Sequence, residues 1–153
     1  MKINSRIFGE IEIEDDKILS FETGLMGFED YHCYAIAYDS EKESKNGIMW
    51  LQSTEREDLA FPVIDPMHID PNYNPIVEDE WLKPLGDFKE DSDLYVLTVL
   101  TVPSDLTKMT VNLKAPIIIN TVTKKACQLI VNNEDYSVRY NVYEHVQKMK
   151  EES

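Results

Sequence analysis

Short apolar stretches, several of them alternating with polar residues, run through most of the chain. In residues 10–14, Ile11 and Ile13 would share one face of a strand and three glutamates the other. Two aspartates follow and indicate a turn before an apolar run resumes, so we expect residues 10–21 to form a hairpin. Further strands are predicted at residues 33–38, 48–53, 59–64, 94–102, 115–122 and 126–131. So many short strands predict a mainly β fold, a single compact antiparallel barrel-like or sandwich domain with one or two short helices.

Two segments depart from the strand pattern in the middle of the chain. Residues 65–75 contain three prolines among polar residues, which predicts a rigid, irregular excursion. Residues 76–93 contain seven acidic residues and enough apolar ones for one short amphipathic helix, which Pro84 would interrupt. We therefore expect little strand structure in residues 65–93.

A narrow apolar stripe marks the end of the chain. Val142, Val146 and Met149 are spaced i, i+4, i+7, which predicts a short helix. The sequence contains no internal repeat and no linker long enough to separate domains. We therefore predict one β-barrel-like domain over residues 1–140, followed over residues 141–153 by a short C-terminal helix or a frayed tail.

The charge is strongly acidic. The chain has 29 Asp and Glu against 15 Lys and Arg, a net charge of −14. This balance excludes direct nucleic-acid binding, which depends on cationic side chains, and disfavours docking on anionic lipid. Residues 106–133 differ, with four lysines and no acid, and they predict either a weakly basic patch or sheet edges that lysines protect from aggregation. An acidic surface attracts basic proteins, so the charge favours a protein partner.

Several features bear on location and assembly. The N-terminus lacks the apolar region of a signal peptide, and the longest apolar stretch, residues 94–102, is too short to span a bilayer. We therefore expect a cytoplasmic protein without membrane contact. In that compartment Cys33 and Cys127 are expected to be buried free thiols rather than a disulfide. Self-repulsion at this charge favours a monomer in the free state.

Motifs of catalytic, metal or cofactor chemistry are missing from the sequence. No pair among the three histidines and two cysteines has zinc-site spacing, and the five glycines form no phosphate-binding loop. There is also no nucleophile elbow around a serine. We therefore predict no metal, no cofactor and no enzymatic activity. Two alternatives are a small hydrolase or transferase in which His32 or His68 meets carboxylates, and a structural subunit that assembles through its sheet edges.

Three local patterns indicate residues that determine the fold. Gly24 and Gly27 flank two apolar residues, which suits a tight turn that folds Phe28 back into the core. Trp50 lies in a strand that ends at a polar pair, and Pro116 follows a turn and precedes a run of β-branched residues. For all five residues a structural role is favoured over ligand contact.

These blocks, together with the opening Lys-Ile-x-Ser-x-x-x-Gly-Glu-Ile-Glu-Ile at residues 2–13, resemble the flagellar assembly factor FliW family. The resemblance covers about residues 1–140. One departure lies in the turn, which usually reads Gly-Ile-Pro-Gly-Phe-Glu in the family, whereas this chain has Leu25 and Met26. Without proline the backbone φ is not preset, so the turn should be slightly looser.

The resemblance implies a compact β-barrel-like protein without enzymatic activity. It implies binding and antagonism of the translational repressor CsrA, a basic RNA-binding protein, which relieves repression of flagellin mRNA. It also implies chaperone-like binding of flagellin. The net charge agrees with a cationic partner.

The residues themselves suggest where a partner would bind. Four apolar side chains lie among prolines and acids in a predicted loop, namely Ile69, Tyr73, Ile76 and Trp81. Loops carry function more often than strands, and aromatic residues are common interface anchors. The alternative is that Trp81 plugs the end of the barrel.

Overall fold

The computed structural model describes residues 2–5, 8–37 and 47–152 of the chain. Their strands are, in chain order, β1 (Lys2–Ser5), β2 (Gly9–Glu12), β3 (Ile18–Phe21), β4 (Cys33–Ala37), β5 (Ile48–Ser53), β6 (Ala60–Ile64), β7 (Leu94–Thr101), β8 (Thr110–Val111), β9 (Ile117–Asn120), β10 (Lys125–Gln128) and β11 (Tyr140–Asn141). Two α-helices, α1 (Asp79–Leu82) and α2 (Tyr143–Glu152), and several single 3-10 turns complete the fold.

Seven of these strands close into a barrel. Strands β3 to β7 pair with their neighbours in sequence order, all antiparallel. Strand β7 continues to β9 and β9 to β10, again antiparallel, and β10 returns to β3 in a parallel pairing. Strands β8 and β11 extend the sheet beyond β7. The predicted mainly β, barrel-like fold with short helices is therefore confirmed.

Two apolar clusters lie on opposite faces of the barrel wall. Alternate residues of each strand point inwards, and the interior includes Leu19, Phe21, Tyr34, Leu51, Val63, Leu97 and Ile117. Their neighbours point outwards into a second cluster that includes Ile64, Leu100 and Val111. Val146 of helix α2 and Val142, which directly precedes the helix, cover this outer cluster, and both are buried. The C-terminal helix is thus confirmed, although the side chain of Met149 lies outside the described part of the chain.

Residues 65–75 and 76–93, all of which the structure describes, contain no strand, in agreement with the prediction of little strand structure there. Residues 65–75 form a 3-10 turn, Pro66–His68, followed by irregular backbone. Helix α1 is only four residues long, and Pro84 lies inside the 3-10 turn Lys83–Leu85 that follows it. Proline removes a backbone donor, so the α-helix does not continue through this point.

The predicted hairpin over residues 10–21 is wrong. Strand β2 pairs with β1, with Ile3 opposite Ile11, and β3 pairs instead with β4 and β10. The reason is the connection: Asp15–Lys17 form a 3-10 turn rather than a hairpin turn, so the chain leaves the two-stranded sheet and enters the barrel.

The strand bounds differ from the predicted ones by a few residues. Strand β4 is described to Ala37, and Tyr38 lies outside the described residues. Strand β10 ends at Gln128, before its predicted end at residue 131, and β9 is shorter than predicted at both ends, beginning after Pro116 and ending at Asn120. There the Asn120 side chain accepts hydrogen bonds from the backbone N–H groups of Val122 and Thr123 and starts a turn.

Candidate partner-binding site

The predicted binding residues Ile69 and Tyr73 are buried. Ile69 is 4% exposed and Tyr73 is 7% exposed, both within the outer apolar cluster. The Tyr73 hydroxyl donates a 2.9 Å hydrogen bond to the carbonyl of Leu113, and its ring stacks on that of Tyr136. These two side chains anchor the loop to the barrel and offer almost no surface to a partner. The prediction of partner binding in this segment therefore depends on Ile76 and Trp81.

Side-chain hydrogen bonds hold the backbone of the loop between Asp65 and Ile76. Asp65 caps the 3-10 turn by accepting from the Met67 N–H at 2.9 Å. Farther along, the Asn133 side chain donates to the Asn74 carbonyl and accepts from the Ile76 N–H. The Ile76 residue that follows these hydrogen bonds is 54% exposed.

Trp81 lines a groove of about 500 Å³ on the outside of the barrel. The lining residues are Ser20, Glu22, Thr23, Trp81, Pro84, Leu85, Lys125, Ala126, Cys127, Gln128 and Leu129. We refer to it as the Trp81 groove. Ser20 and Glu22 alternate with the interior residues Leu19 and Phe21, so this wall faces outwards. Trp81 therefore packs beside the barrel wall and does not plug a barrel end.

The groove lies where β3 and β10 are no longer paired with each other. Their parallel pairing extends over only two residue pairs, Lys125 with Ser20 and Ala126 with Phe21. Helix α1 and the 3-10 turn Lys83–Leu85 close the other side, where Leu85 is 1% exposed. The Leu85 carbonyl accepts hydrogen bonds from Asn120 Nδ2 at 3.1 Å and Thr123 Oγ1 at 2.6 Å. These bonds hold the turn after Trp81 against the barrel.

The groove offers apolar contact and two charges of opposite sign. Glu22 and Lys125 are exposed at its edges. Burial raises the pKa of the Cys127 thiol to about 11, so this sulfur is protonated at neutral pH and is a poor nucleophile. Both cysteines are free thiols as predicted, but they are half-buried rather than buried, because Cys33 begins its strand and Cys127 faces the groove.

The geometry gives no support to the hydrolase or transferase alternative. That alternative needs His32 or His68 beside carboxylates in a cavity. His32 Nδ1 lies 2.9 Å from the Phe21 carbonyl and His68 is exposed. Among the described residues, no histidine lines the Trp81 groove or a cavity of about 510 Å³ at the Tyr95 end of the barrel. The described ranges also contain no group of three histidine, cysteine or acidic residues placed to hold a metal ion.

Of the residues predicted to determine the fold, the two glycines and Trp50 lie in the predicted turn and strand, whereas Phe28 does not lie where it was predicted. Gly24 and Gly27 both have positive φ, at +69° and +88°. Trp50 is half-buried in β5, paired with Ala37 and Pro62. Phe28, however, is not in the core: it is 36% exposed and packs edge-to-face on Phe61 with ring centroids 5.1 Å apart. The turn directs it to the barrel end, where the interior opens to solvent.

Pro116 is buried where β9 begins. The turn before it is held by Asn112 Oδ1, which accepts from the N–H groups of Lys114 and Ala115 at 3.1 and 3.0 Å. This arrangement suits proline, since its missing N–H is not needed by the turn.

The second wall of the groove is not predicted from the sequence. The strand predicted at residues 126–131 does not include Lys125 and carries no prediction of which side chains face outwards, whereas in the structure Lys125, Cys127 and Leu129 do so. The available signal is the lysine at the start of an otherwise apolar run, because alternation places the residues two and four positions later on its face.

No helix in the described ranges combines the length and apolarity needed to cross a membrane.

Comparison with known proteins gives one consistent family. The family model described as FliW protein matches residues 2–142. The flagellar assembly factor FliW of Lachnoclostridium phytofermentans is 54% identical over 147 residues, covering 96% of this chain and 94% of that protein. The protein of the same name from Lachnospira eligens is 49% identical over 148 residues, covering 97% and 98%.

A solved structure agrees with these relatives. The crystal structure of the flagellar assembly factor FliW superposes with a TM-score of 0.82 at 29% identity, covering 93% of this chain and 96% of that one. These relatives are named for an assembly role rather than for an enzymatic reaction. Since the family model and relatives at this identity cover nearly all of the sequence, the chain belongs to the FliW family.

Proposed function

We propose that this chain acts in flagellar assembly by binding other proteins in the cytoplasm, without catalysing a reaction. The observation that carries the proposal is the 54% identity to a flagellar assembly factor over 96% of the chain. A relative this similar over nearly its full length shares the fold.

We further propose two partners. The first is a CsrA-type translational repressor, which the protein binds and keeps from flagellin mRNA. The second is flagellin, which it binds in a chaperone-like way. Physical support for the first partner is the net charge of −14, because an RNA-binding surface is cationic and is attracted by such a field.

The Trp81 groove is our candidate surface for the cationic partner. The exposed carboxylates Glu78, Asp79 and Glu80 directly precede Trp81 in the chain. Ile76 lies just before them and is 54% exposed. An aromatic and an aliphatic anchor next to acidic groups suit a partner whose apolar contacts are surrounded by lysine or arginine.

The test is displacement of RNA. Labelled flagellin leader RNA is bound to purified CsrA, the protein is added, and fluorescence anisotropy reports the bound RNA. We expect release of the RNA, and an association rate with CsrA that falls severalfold between about 0.05 and 0.5 M salt, since exposed charges are screened. An unchanged anisotropy at saturating protein contradicts the proposed antagonism.

Surface variants test the groove separately. Trp81→Ala and Ile76→Asp should each weaken CsrA binding about tenfold or more if these side chains are anchors. The matched control is Leu106→Asp, because Leu106 is 48% exposed and lies outside the groove. If all three variants bind like the unmodified protein while RNA is still released, the antagonism stands and another surface makes the contact.

A further inference from the structure

A separate, smaller concavity opens at the barrel end near Phe61. It measures about 250 Å³, and its lining includes Leu25, Met26, Phe61, Val99, Val138 and Arg139. We call it the Phe61 mouth. Phe61 and Val99 lie two residues from the interior positions Val63 and Leu97 on their strands, so the cavity continues the barrel interior towards solvent.

Exposed apolar side chains surround this mouth. Val138 is 57% exposed and Met26 is 46% exposed, and both line the cavity. Phe28 is 36% exposed and packs against Phe61. Single exposed apolar residues are ordinary, but here two line the cavity and Phe28 packs on a third lining residue, a grouping of the kind that marks an interaction site.

Arg139 supplies a cation at the edge of the patch. Its backbone N–H donates to Ser137 Oγ at 3.0 Å, whereas its guanidinium makes no hydrogen bond or ion pair within the part of the chain that the structure describes. Arg56, by contrast, is paired with Asp58 at 2.6 Å. A guanidinium binds carboxylates through two parallel hydrogen bonds, so Arg139 is available for an acidic group of a partner.

We propose that the Phe61 mouth binds a peptide segment in which a large apolar side chain is next to a carboxylate. The apolar side chain enters the cavity, and the carboxylate binds Arg139. The size of the cavity favours this occupant, since small-molecule pockets usually measure about 300–1,000 Å³ and this one is smaller but large enough for one side chain. The charge of Arg139 selects an acidic neighbour over a neutral one.

This surface goes beyond the proposed antagonism of a cationic protein and does not depend on it. The Trp81 groove lies on the outer wall next to carboxylates, whereas the Phe61 mouth lies at a barrel end next to an arginine. Gln128 is the residue common to both linings. The two sites therefore suit partners of opposite charge.

The test is a nuclear magnetic resonance titration of the full ¹⁵N-labelled chain. The probe is the capped peptide acetyl-Gly-Ser-Leu-Glu-Ser-Gly-amide, compared with versions that carry Gln for Glu or Ala for Leu. We expect the first peptide to shift the amide signals of Met26, Val138 and Arg139, and both altered peptides to bind about fivefold more weakly or worse. Arg139→Gln should abolish the preference for Glu over Gln, while Lys108→Gln, which changes an exposed cation outside the mouth, should keep it.

Several outcomes overturn the proposal. One is equal binding of the Glu and Gln peptides, and another is a set of shifts confined to residues outside the mouth. Signals of the mouth that change with protein concentration alone would assign the surface to a second copy of this chain instead. Because Arg139 is exposed, its substitution should leave the spectrum otherwise unchanged, and Val138→Ser gives an independent reduction of peptide affinity.

Discussion

The Ser5 hydroxyl donates a 2.9 Å hydrogen bond to Oε1 of Gln52, and both residues are buried. This bond joins the N-terminal β1–β2 hairpin to the barrel strand β5. On its other side, Gln52 Nε2 lies within 3.0 to 3.3 Å of the carbonyls of Ser53, Arg56, Glu57 and Leu59. One amide therefore holds both the hairpin and the loop between β5 and β6.

We expect Ser5→Ala to lower the free energy of unfolding by about 1–2 kcal/mol, because the buried Gln52 oxygen loses its donor. Gln52→Leu should cost more, about 3 kcal/mol, because the carbonyls of the loop between β5 and β6 and the Ser5 hydroxyl lose a partner at once. Urea unfolding measures both. Asn4→Ala on the exposed face of the same strand is the control, and a Ser5 variant as stable as that control contradicts the role of the bond.

The two glycines of the turn after β3 should differ in their tolerance of alanine. A Cβ at Gly24 would lie 2.7 Å from Glu29 Cα and 2.8 Å from the Phe28 carbonyl oxygen, whereas a Cβ at Gly27 would meet no atom within 4 Å. Gly27→Ala should therefore cost only the left-handed backbone strain, about 1–2 kcal/mol. Gly24→Ala adds a clash with backbone and should cost roughly 3 kcal/mol or more. Equal loss of stability in urea for both variants would refute this assignment.

Two buried tyrosines should respond in opposite ways to loss of the hydroxyl. The Tyr34 hydroxyl is buried in the barrel without a hydrogen-bond partner among the described residues, whereas that of Tyr73 donates to Leu113. Tyr34→Phe should leave the free energy of unfolding unchanged or raise it by up to about 1 kcal/mol. Tyr73→Phe should lower it by about 1–2 kcal/mol. The pair serves as its own control in thermal or urea unfolding.

Stability should fall at alkaline pH for a related reason. Burial raises the pKa of Tyr34 from its ordinary value of 10.0 to about 12, and burial raises the pKa of Tyr73 as well. The folded state favours the neutral phenol, so the unfolded chain ionises first. The associated stability is fully present below pH 10 and, for Tyr34, is lost as the pH rises to about 12.

Urea unfolding at about pH 9 and about pH 11 measures this loss, and tyrosinate absorbance reports ionisation. Tyr34→Phe should reduce the difference between the two pH values, because one titrating group is removed. A variant with the same pH dependence as the unmodified protein would show that other groups cause the loss.

Much of the fold follows from local pattern. Alternation of apolar and polar residues predicts most barrel strands to within a few residues, and the i, i+4 spacing of Val142 and Val146 predicts helix α2. Pairing is harder, because it depends on contacts between distant segments. The return of β10 to β3, and the pairing of β2 with β1 rather than β3, could not be read from neighbouring residues.

The candidate site is likewise predicted only in part by the local sequence. Ile69, Tyr73, Ile76 and Trp81 look alike in sequence, as apolar residues in a polar loop. The first two are buried and the last two reach the surface, because the path of the loop over the barrel decides which side chains meet the outer cluster. The Phe61 mouth has no sequence signature, since Met26, Phe61 and Arg139 come from three distant segments.

By itself the sequence determined the β class, the acidic character, the turn glycines and the family resemblance, because each of these depends on residue type or on short-range spacing. The tertiary structure alone decided barrel closure, the burial of Tyr73, the groove beside Trp81 and the exposed position of Arg139 at a barrel end. Those properties depend on which distant segments exclude water from each other, and short-range spacing carries no information about that.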